Sequence, residues 1–319
     1  MKLTKQLLTV LLIVALFVSF NLGVYATVTS RCGGLLDGNS RADAIEVSDY
    51  VPFDKAAKLA RPEKEASLKL SGDLPVLDGA AALLPVYAAF ADAVYPEGSC
   101  DFNGESYSAD SAMQFRNTLK AYKAVVDGDA DIVFCAAPSK AQLAYAEEQG
   151  IELTLTPIGR EAFVFLVNEN NPVDSLTAEQ IRGIYRGEYH NWRELGGANR
   201  LIDPLTRIEG SGSQSALVAF LGDEPTGKHP LSFMGASIGF SFRYYTLGIL
   251  QNSGVKLLAV NGVPPTEDNI RSGAYPITVQ FYAVTRTDHN NPNITAMLDW
   301  ILSEEGQYLI EQSGYVGIG

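Results

Sequence analysis

Histidine and cysteine are scarce in this chain, with three of each among 319 residues. They are too few and too scattered for a Cys/His zinc cluster, and neither a metal nor an organic cofactor is expected. Basic residues are also short: 24 Lys and Arg against 37 Asp and Glu leave a net charge of −13. So acidic a surface repels phosphate backbones at long range, which argues against nucleic acid as a partner. It leaves room for a small anion, because one pocket can be locally positive on a negative protein. Internal repeats, coiled-coil heptads and low-complexity tracts are lacking as well. What is present is ordinary: 46% hydrophobic and 19% charged residues, enough chain for two lobes, and no signature of disorder or fibre.

Residues 1–26 read MKLTKQLLTVLLIVALFVSFNLGVYA. Lys2 and Lys5 precede an apolar run from Leu7 to Phe20, and Ala26 supplies a small residue at the end. This is the layout of a signal peptide. Stretched to Val24 or Tyr25, the run could also span a membrane, which takes about 20 residues. Cleaved signal and retained membrane anchor both stay open, and either places the rest outside the cytoplasm, secreted or attached to the membrane. Cys32 follows Thr29-Ser30-Arg31, and Arg31 does not suit a lipid-attachment box. Cys100 and Cys135 could pair in an oxidising compartment or stand as separate thiols.

Residues 27–70 mix Gly, Asn and charge, and read as a linker with one short helix at most. From Leu74 onward apolar runs alternate with segments of helical period. LPVLDG, SAMQFRNT, DADIVFCAAPS, IELTLTPIG, EAFVFLVNE, RLIDPLT, GVKLLAVNGV and YPITVQFYAVT read as strands. AAALLPVYAAFADAVYP, LKAYKAVVDG, KAQLAYAEEQG, TAEQIRGIYRGEY (capped by Ser175 or Thr177) and SQSALVAFLG read as helices, and a single closing helix runs from Asn293. Strands alternating with helices imply parallel α/β sheets with ligand sites at strand carboxyl ends. A dozen such elements fit two small sheets better than one large core.

Three strand-to-helix turns share one chemistry: Asp78-Gly79-Ala80-Ala81-Ala82, Arg116-Asn117-Thr118-Leu119, and the stretch Arg207 to Ser215 (RIEGSGSQS). Each opens a helix with small residues, so backbone N–H groups are exposed at the positive end of a helix dipole, an arrangement that binds anions. In the third turn Gly210 and Gly212 allow close backbone approach. Ser211 and Ser213 offer hydroxyls, and Arg207 offers a planar fork matched to a tetrahedral oxyanion. Glu209 is near enough in sequence to orient that Arg. An ordinary Gly/Ser helix cap beside a surface Arg is the alternative.

The string RIEGSGSQSALVAFLG resembles the R-x-x-G-S-G-[ST] loop of the phosphate-binding proteins of phosphate ABC transporters. LPVLDGAAALLPVYAAFADAVYP, DADIVFCAAPSKAQL, the segment from Thr156 to Gly197 with its N-P-V…L-T-x-x-Q-I…N-W pattern, and DWILSEEGQYLIEQSGYVGI are also similar, so the likeness covers about Leu74–Gly319. It implies an α/β, two-lobed type II periplasmic-binding-protein fold, with two mixed sheets joined by two crossover strands, GREAFVFLVN and YPITVQFYAVT. The expected division is 1–26 signal or anchor, 27–70 linker, 71–165 plus 275–319 lobe I, and 166–274 lobe II. The implied function is extracytoplasmic capture of an oxyanion, most of all inorganic phosphate, by a monomer that hands it to ABC permease subunits. No enzymatic step is implied, and the N-terminal segment provides the membrane contact. If family roles carry over, Arg207, Ser211, Gly212 and Ser213 contact the anion from lobe II, while Ala80, Ala81, Ala82 and Thr118, with Ser139 at the end of the P-S strand, do so from lobe I. Two departures weaken the match. Many members have Thr where this chain has Ala81. Many also place after the third strand an Asp that accepts the proton of hydrogen phosphate, whereas this chain reads Ala136-Ala137-Pro138-Ser139.

Other motifs do not hold up. Gly222 to Lys228 fits G-x-x-x-x-G-K, but His229 follows where Ser or Thr is needed, and a helix rather than a strand precedes it. No G-x-S-x-G elbow is present for a Ser hydrolase acting through Ser211 or Ser213. His190, His229 and His289 lie in polar stretches and read as surface residues. Ser241–Tyr245 (SFRYY) reads as packing through Phe242 and Tyr245 rather than as an aromatic ligand platform. Two alternative functions remain: a membrane-tethered anion sensor or scaffold without a transport role, and, less well supported, that secreted Ser hydrolase.

Overall fold

In the computed structural model, which describes residues 18–19, 45–222, 226–229, 235–250 and 254–318, strands and helices alternate from Leu77 onward. In chain order they are β1 (Leu77–Gly79), α1 (Leu84–Val94), α2 (Asn117–Asp127), β2 (Ile132–Ala136), α3 (Lys140–Glu148) and β3 (Leu153–Asn168). Next come β4 (Ser175–Leu176), α4 (Ala178–Arg186), β5 (Ile202–Pro204), α5 (Gly212–Leu221), β6 (Ala236–Phe242) and α6 (Arg243–Leu250). The chain closes with β7 (Val255–Leu257), β8 (Ala259–Val260), α7 (Glu267–Arg271), β9 (Thr278–Arg286), α8 (Pro292–Leu302), α9 (Glu304–Gln312) and β10 (Val316–Gly317). Among the described residues no helix is long and apolar enough to cross a membrane. Residues 18 and 19 apart, the stretch read as signal or anchor lies outside the described residues, as does Cys32.

The two apolar runs expected as separate strands form one sixteen-residue strand, β3. Its register against β9 shifts between Pro157 and Gly159, because Pro157 has no N–H to give the ladder. The first part of β3 pairs antiparallel with β9 through Ala162, and the part from Phe163 to Val167 pairs with β6. β3 is therefore common to two mixed sheets, whose joined strand order is β1-β2-β9-β3-β6-β5. Along that path β1–β2 and β5–β6 are parallel and the three central pairings are antiparallel, so the parallel sheets expected from the strand–helix alternation give way to mixed ones, because the long strands β3 and β9 run against their neighbours.

Each sheet has its own core. β2 is buried at all five positions, as a strand covered on both faces must be. Ile132 and Phe134 face a cluster with Tyr87, Phe90, Met297, Trp300 and Leu309. Val133 and Cys135 face another with Ala121, Tyr122 and Val125 of α2. This is the period of two along a strand. The second lobe packs Phe163, Phe165, Tyr185, Trp192 and Phe240, and each such fully buried aromatic contributes about 1.5–3 kcal/mol by area. Cys100 and Cys135 are both buried and free, in different clusters, so they are separate thiols.

Three local expectations change. SAMQFRNT forms no strand. Met113 makes one isolated parallel bridge to Leu77, and helix begins at Asn117. The closing helix is two helices broken at Ser303, whose extended backbone interrupts the ladder between α8 and α9. Residues 45–70 are more than a linker: Ala66 and Leu70 join the first-lobe core, and the Phe53 amide donates to Asp92 Oδ1 at 2.6 Å. Thr177, not Ser175, caps α4, in a reciprocal box with Gln180.

Candidate anion-binding site

β1 ends against β2, and the chain leaves it at Ala80 into a 3-10 turn (Ala81–Leu83) that opens α1. α2 opens at Asn117 without a side-chain cap. On the second lobe α5 opens at Gly212, where Ser211 is the N-cap and its hydroxyl accepts from the Gln214 amide at 3.3 Å. The first amides of such helices have no intrahelical partner and carry the positive end of the dipole.

A buried carboxylate joins the two first-lobe turns. Asp78 is wholly buried. Its Oδ1 accepts from the amides of Gly79 at 2.8 Å and Arg116 at 2.9 Å, and its Oδ2 accepts from Arg116 Nη1 at 2.7 Å. Burial raises the Asp78 pKa, and the Arg116 guanidinium and the two amides oppose that shift. One residue on, Asn117 adopts left-handed backbone (φ 65). Its Oδ1 accepts from Thr118 N at 2.8 Å and from Ala81 N at 3.5 Å. The Ala80–Ala82 turn and the start of α2 are thus clipped together across 38 residues of sequence. Asp78 and Arg116 were read from the sequence as turn residues; their pairing was not foreseen, since no local spacing signals it.

The second-lobe turn meets this clip. A Cβ placed on Gly212 would stand 3.5 Å from Thr118 Oγ1 and 3.9 Å from Ala136 Cβ. Gln142 Nε2 donates to the Gly210 carbonyl at 3.2 Å across the cleft. Gly210 has a φ of 81, so the backbone favours glycine there; a Cβ would lie 2.7 Å from Leu119 Cδ1, the tip of an exposed side chain that can shift. Gly212 is different: a methyl would fit against the protein and would occupy the gap between the lobes.

That gap is a narrow cavity walled by Ala80, Ala82, Ala136, Gly212, Phe242 and Glu161 among others. Of the expected site residues, Ala80, Ala82 and Gly212 line it and Thr118 adjoins it. Ala81 turns its amide to Asn117. Ser213 follows Gly212 on α5, and Arg207 is bonded to it, with Arg207 Nη1 donating to Ser213 Oγ at 2.9 Å and the Arg207 amide donating to Gln214 Oε1 at 2.8 Å; neither residue lines the cavity wall. Ser211 serves as the α5 cap. Ser139 caps α3 in a box with Gln142 and lines a second, outer pocket with Glu209 and Gly210. A guanidinium cannot act as a base, so the Arg207–Ser213 contact is no nucleophile–base pair. His190 is exposed, whereas His229 and His289 are half-buried. Phe242 packs at the edge of the second core and also forms a cavity wall.

Glu161 was not foreseen. It is 6% exposed, sits on β3 opposite Val279, and its Oε1 accepts a hydrogen bond from the Tyr244 amide. Burial pushes its pKa up to about 8, against the Tyr244 amide and the Arg243 charge, which lower it. The signal was available, because a carboxylate heading the buried run EAFVFLV is rare without a partner.

Comparison with known proteins agrees with this geometry. Residues 75–305 match the model of the PBP superfamily domain. The phosphate-binding protein PstS of Borreliella burgdorferi is 27% identical over 194 residues, spanning 54% of this chain and 67% of that protein. PstS of Bacillus subtilis is 24% identical over 266 residues, spanning 78% and 82%. The structure of a phosphate ABC transporter substrate-binding protein from Clostridium perfringens, solved with bound phosphate, superposes with a TM-score of 0.57 at 22% identity, covering 77% of this chain and all of that one. At that identity the superposition speaks for the fold alone, which is the two-lobed one expected from the sequence. With its family model spanning most of the chain and its fold shared with solved relatives, the chain belongs to the PBP superfamily.

Proposed function

We propose that this protein captures an oxyanion, inorganic phosphate, in the cleft between its lobes and delivers it to an ABC transporter. The observation that carries the reading is the meeting of the α5 start with Thr118 and Ala136, which brings dipole ends from both lobes around one cavity. These dipoles and Arg207 offset, over a few ångströms, the repulsion of a −13 protein for an anion. The names of the relatives support phosphate as the ligand. In this reading residues 71–165 plus 275–319 form lobe I and 166–274 lobe II, and the lobes close by hinge motion about β3 and the segment leading into β9. Ala82, Thr118, Arg207, Gly212 and Ser213 hold the anion. Ala80, whose amide already donates to the Phe134 carbonyl at 2.8 Å, acts with Ala81, Ser139 and Ser211 by shaping the turns. The protein works as a monomer outside the cytoplasm, attached to the membrane or released from it according to the fate of residues 1–26, and passes its ligand to permease subunits without chemistry on it.

The test is calorimetry of the full chain in detergent with phosphate, sulfate and molybdate. Binding heat with phosphate that disappears in Arg207→Ala is expected. Unchanged affinity in that variant excludes Arg207 as a ligand, and no heat from any anion overturns the reading.

A further inference from the structure

We propose that Glu161 is the acid of this anion site, donating a hydrogen bond through Oε2 to the bound oxyanion and so deciding which anions the cleft accepts and over which pH range. The inference rests on the anion-binding reading above. Sequence comparison with the family left the site without an acid, since the stretch after β2 has Ala136 and Ala137. The structure places an acidic residue on the wall of the same cavity from another element. Glu161 lines the wall beside Ala80, Ala82 and Gly212, residues of the turns that open α1 and α5.

Its surroundings decide the proton. The cavity walls near it are alanine, Phe242, Val279 and Phe281, where a bare carboxylate is poorly solvated. Oε1 already accepts from the Tyr244 amide, so the proton sits on Oε2 and makes that atom a donor. The ionisable groups packed around it are Arg243 and Tyr244 on α6, Tyr315 before β10, and Tyr50. Arg243 also faces Glu267, at 3.5 Å, which divides its charge between two carboxyls. Burial raises the pKa of all three phenols, so none is a base that could take the Glu161 proton. With its pKa at about 8, Glu161 is neutral through neutral pH.

A neutral donor does the opposite of an acceptor carboxylate. It welcomes a fully ionised tetrahedral anion such as sulfate as readily as hydrogen phosphate, because no proton on the ligand is required. Once ionised it repels either one.

The experiment is calorimetry of the full chain with inorganic phosphate and with sulfate, comparing wild type and Glu161→Gln. The amide keeps a donor and cannot ionise. The ratio of the two dissociation constants cancels the ionisation of phosphate itself. It is expected near one at about pH 6, with wild type about thirty-fold weaker by about pH 9.5, tenfold for each unit above its pKa. A second readout needs no variant: repeated in buffers of different ionisation heat at about pH 9, wild-type binding takes up a proton. A ratio that does not move with pH, or no proton uptake, overturns the role of Glu161 while phosphate binding stands. Absence of binding by wild type at every pH overturns the anion site as well.

Discussion

The two sides of the cleft are built by different means. On the first lobe the anion turns stand on a frame anchored by one wholly buried carboxylate: Asp78 and Arg116, 38 residues apart, hold the Ala80–Ala82 turn against the start of α2, and Tyr122 of that helix donates from its hydroxyl to the Ala136 carbonyl at 2.6 Å. On the second lobe a run of eight residues makes its own local bonds. Arg207, Ser211, Ser213 and Gln214 bond one another at the half-exposed mouth of α5. The first side is fixed by long-range packing and the second by local sequence. The first should therefore respond to mutation mainly through stability, and the second through binding with the fold intact.

The contrast can be broken most forcefully at Asp78. Asp78→Ala strands three donors, the Gly79 and Arg116 amides and the Arg116 guanidinium, and should cost about 3 kcal/mol, the low end for a broken buried pair because the Arg116 side chain is 31% exposed. Urea denaturation measures this, and an unchanged midpoint would remove the clip from the account. Next is Arg207→Ala, expected to weaken phosphate binding about 100-fold, or nearly 3 kcal/mol, while the urea midpoint shifts by less than about 1 kcal/mol. Should that variant unfold instead, the second-lobe side is structural too. Gly212→Ala sharpens the point: its methyl meets the protein only at ordinary contact distances, so stability should hold while phosphate affinity falls about tenfold. Gly210→Ala, in left-handed backbone and against Leu119, should instead lose about 1–2 kcal/mol of stability.

A subtler effect comes from Glu161. Its folded pKa stands near 8, above the ordinary carboxyl value near 4.5. Between those two values the native state keeps a proton that the unfolded chain has lost, so stability falls as pH rises through that window. Urea midpoints should decline from pH 5 to pH 8 for wild type and decline less for Glu161→Gln, and equal slopes would show that the carboxyl is not held neutral.

The same contrast explains what the sequence disclosed. The local side of the site was legible as a motif: RIEGSGS gave the cap, the Arg and the glycine that the left-handed turn requires. The strand–turn–helix order made an α/β fold legible, and the resemblance over Leu74–Gly319 implied its two lobes. The Asp78–Arg116 pair and Glu161 were not read, because each draws its meaning from partners on distant elements. Neither was the break at Ser303, where the apolar spacing continues from one helix into the next. Residues 45–70 have too few apolar positions for a period, yet Ala66 and Leu70 still find the core.

The most direct test of convergence is a crystal structure of the protein grown with phosphate. The account predicts one phosphate between the lobes, within hydrogen-bonding distance of the Gly212–Ser213 amides on one side and of the Ala82 amide and Thr118 on the other. A phosphate held by one lobe alone, or seated away from the Glu161 cavity, would contradict it.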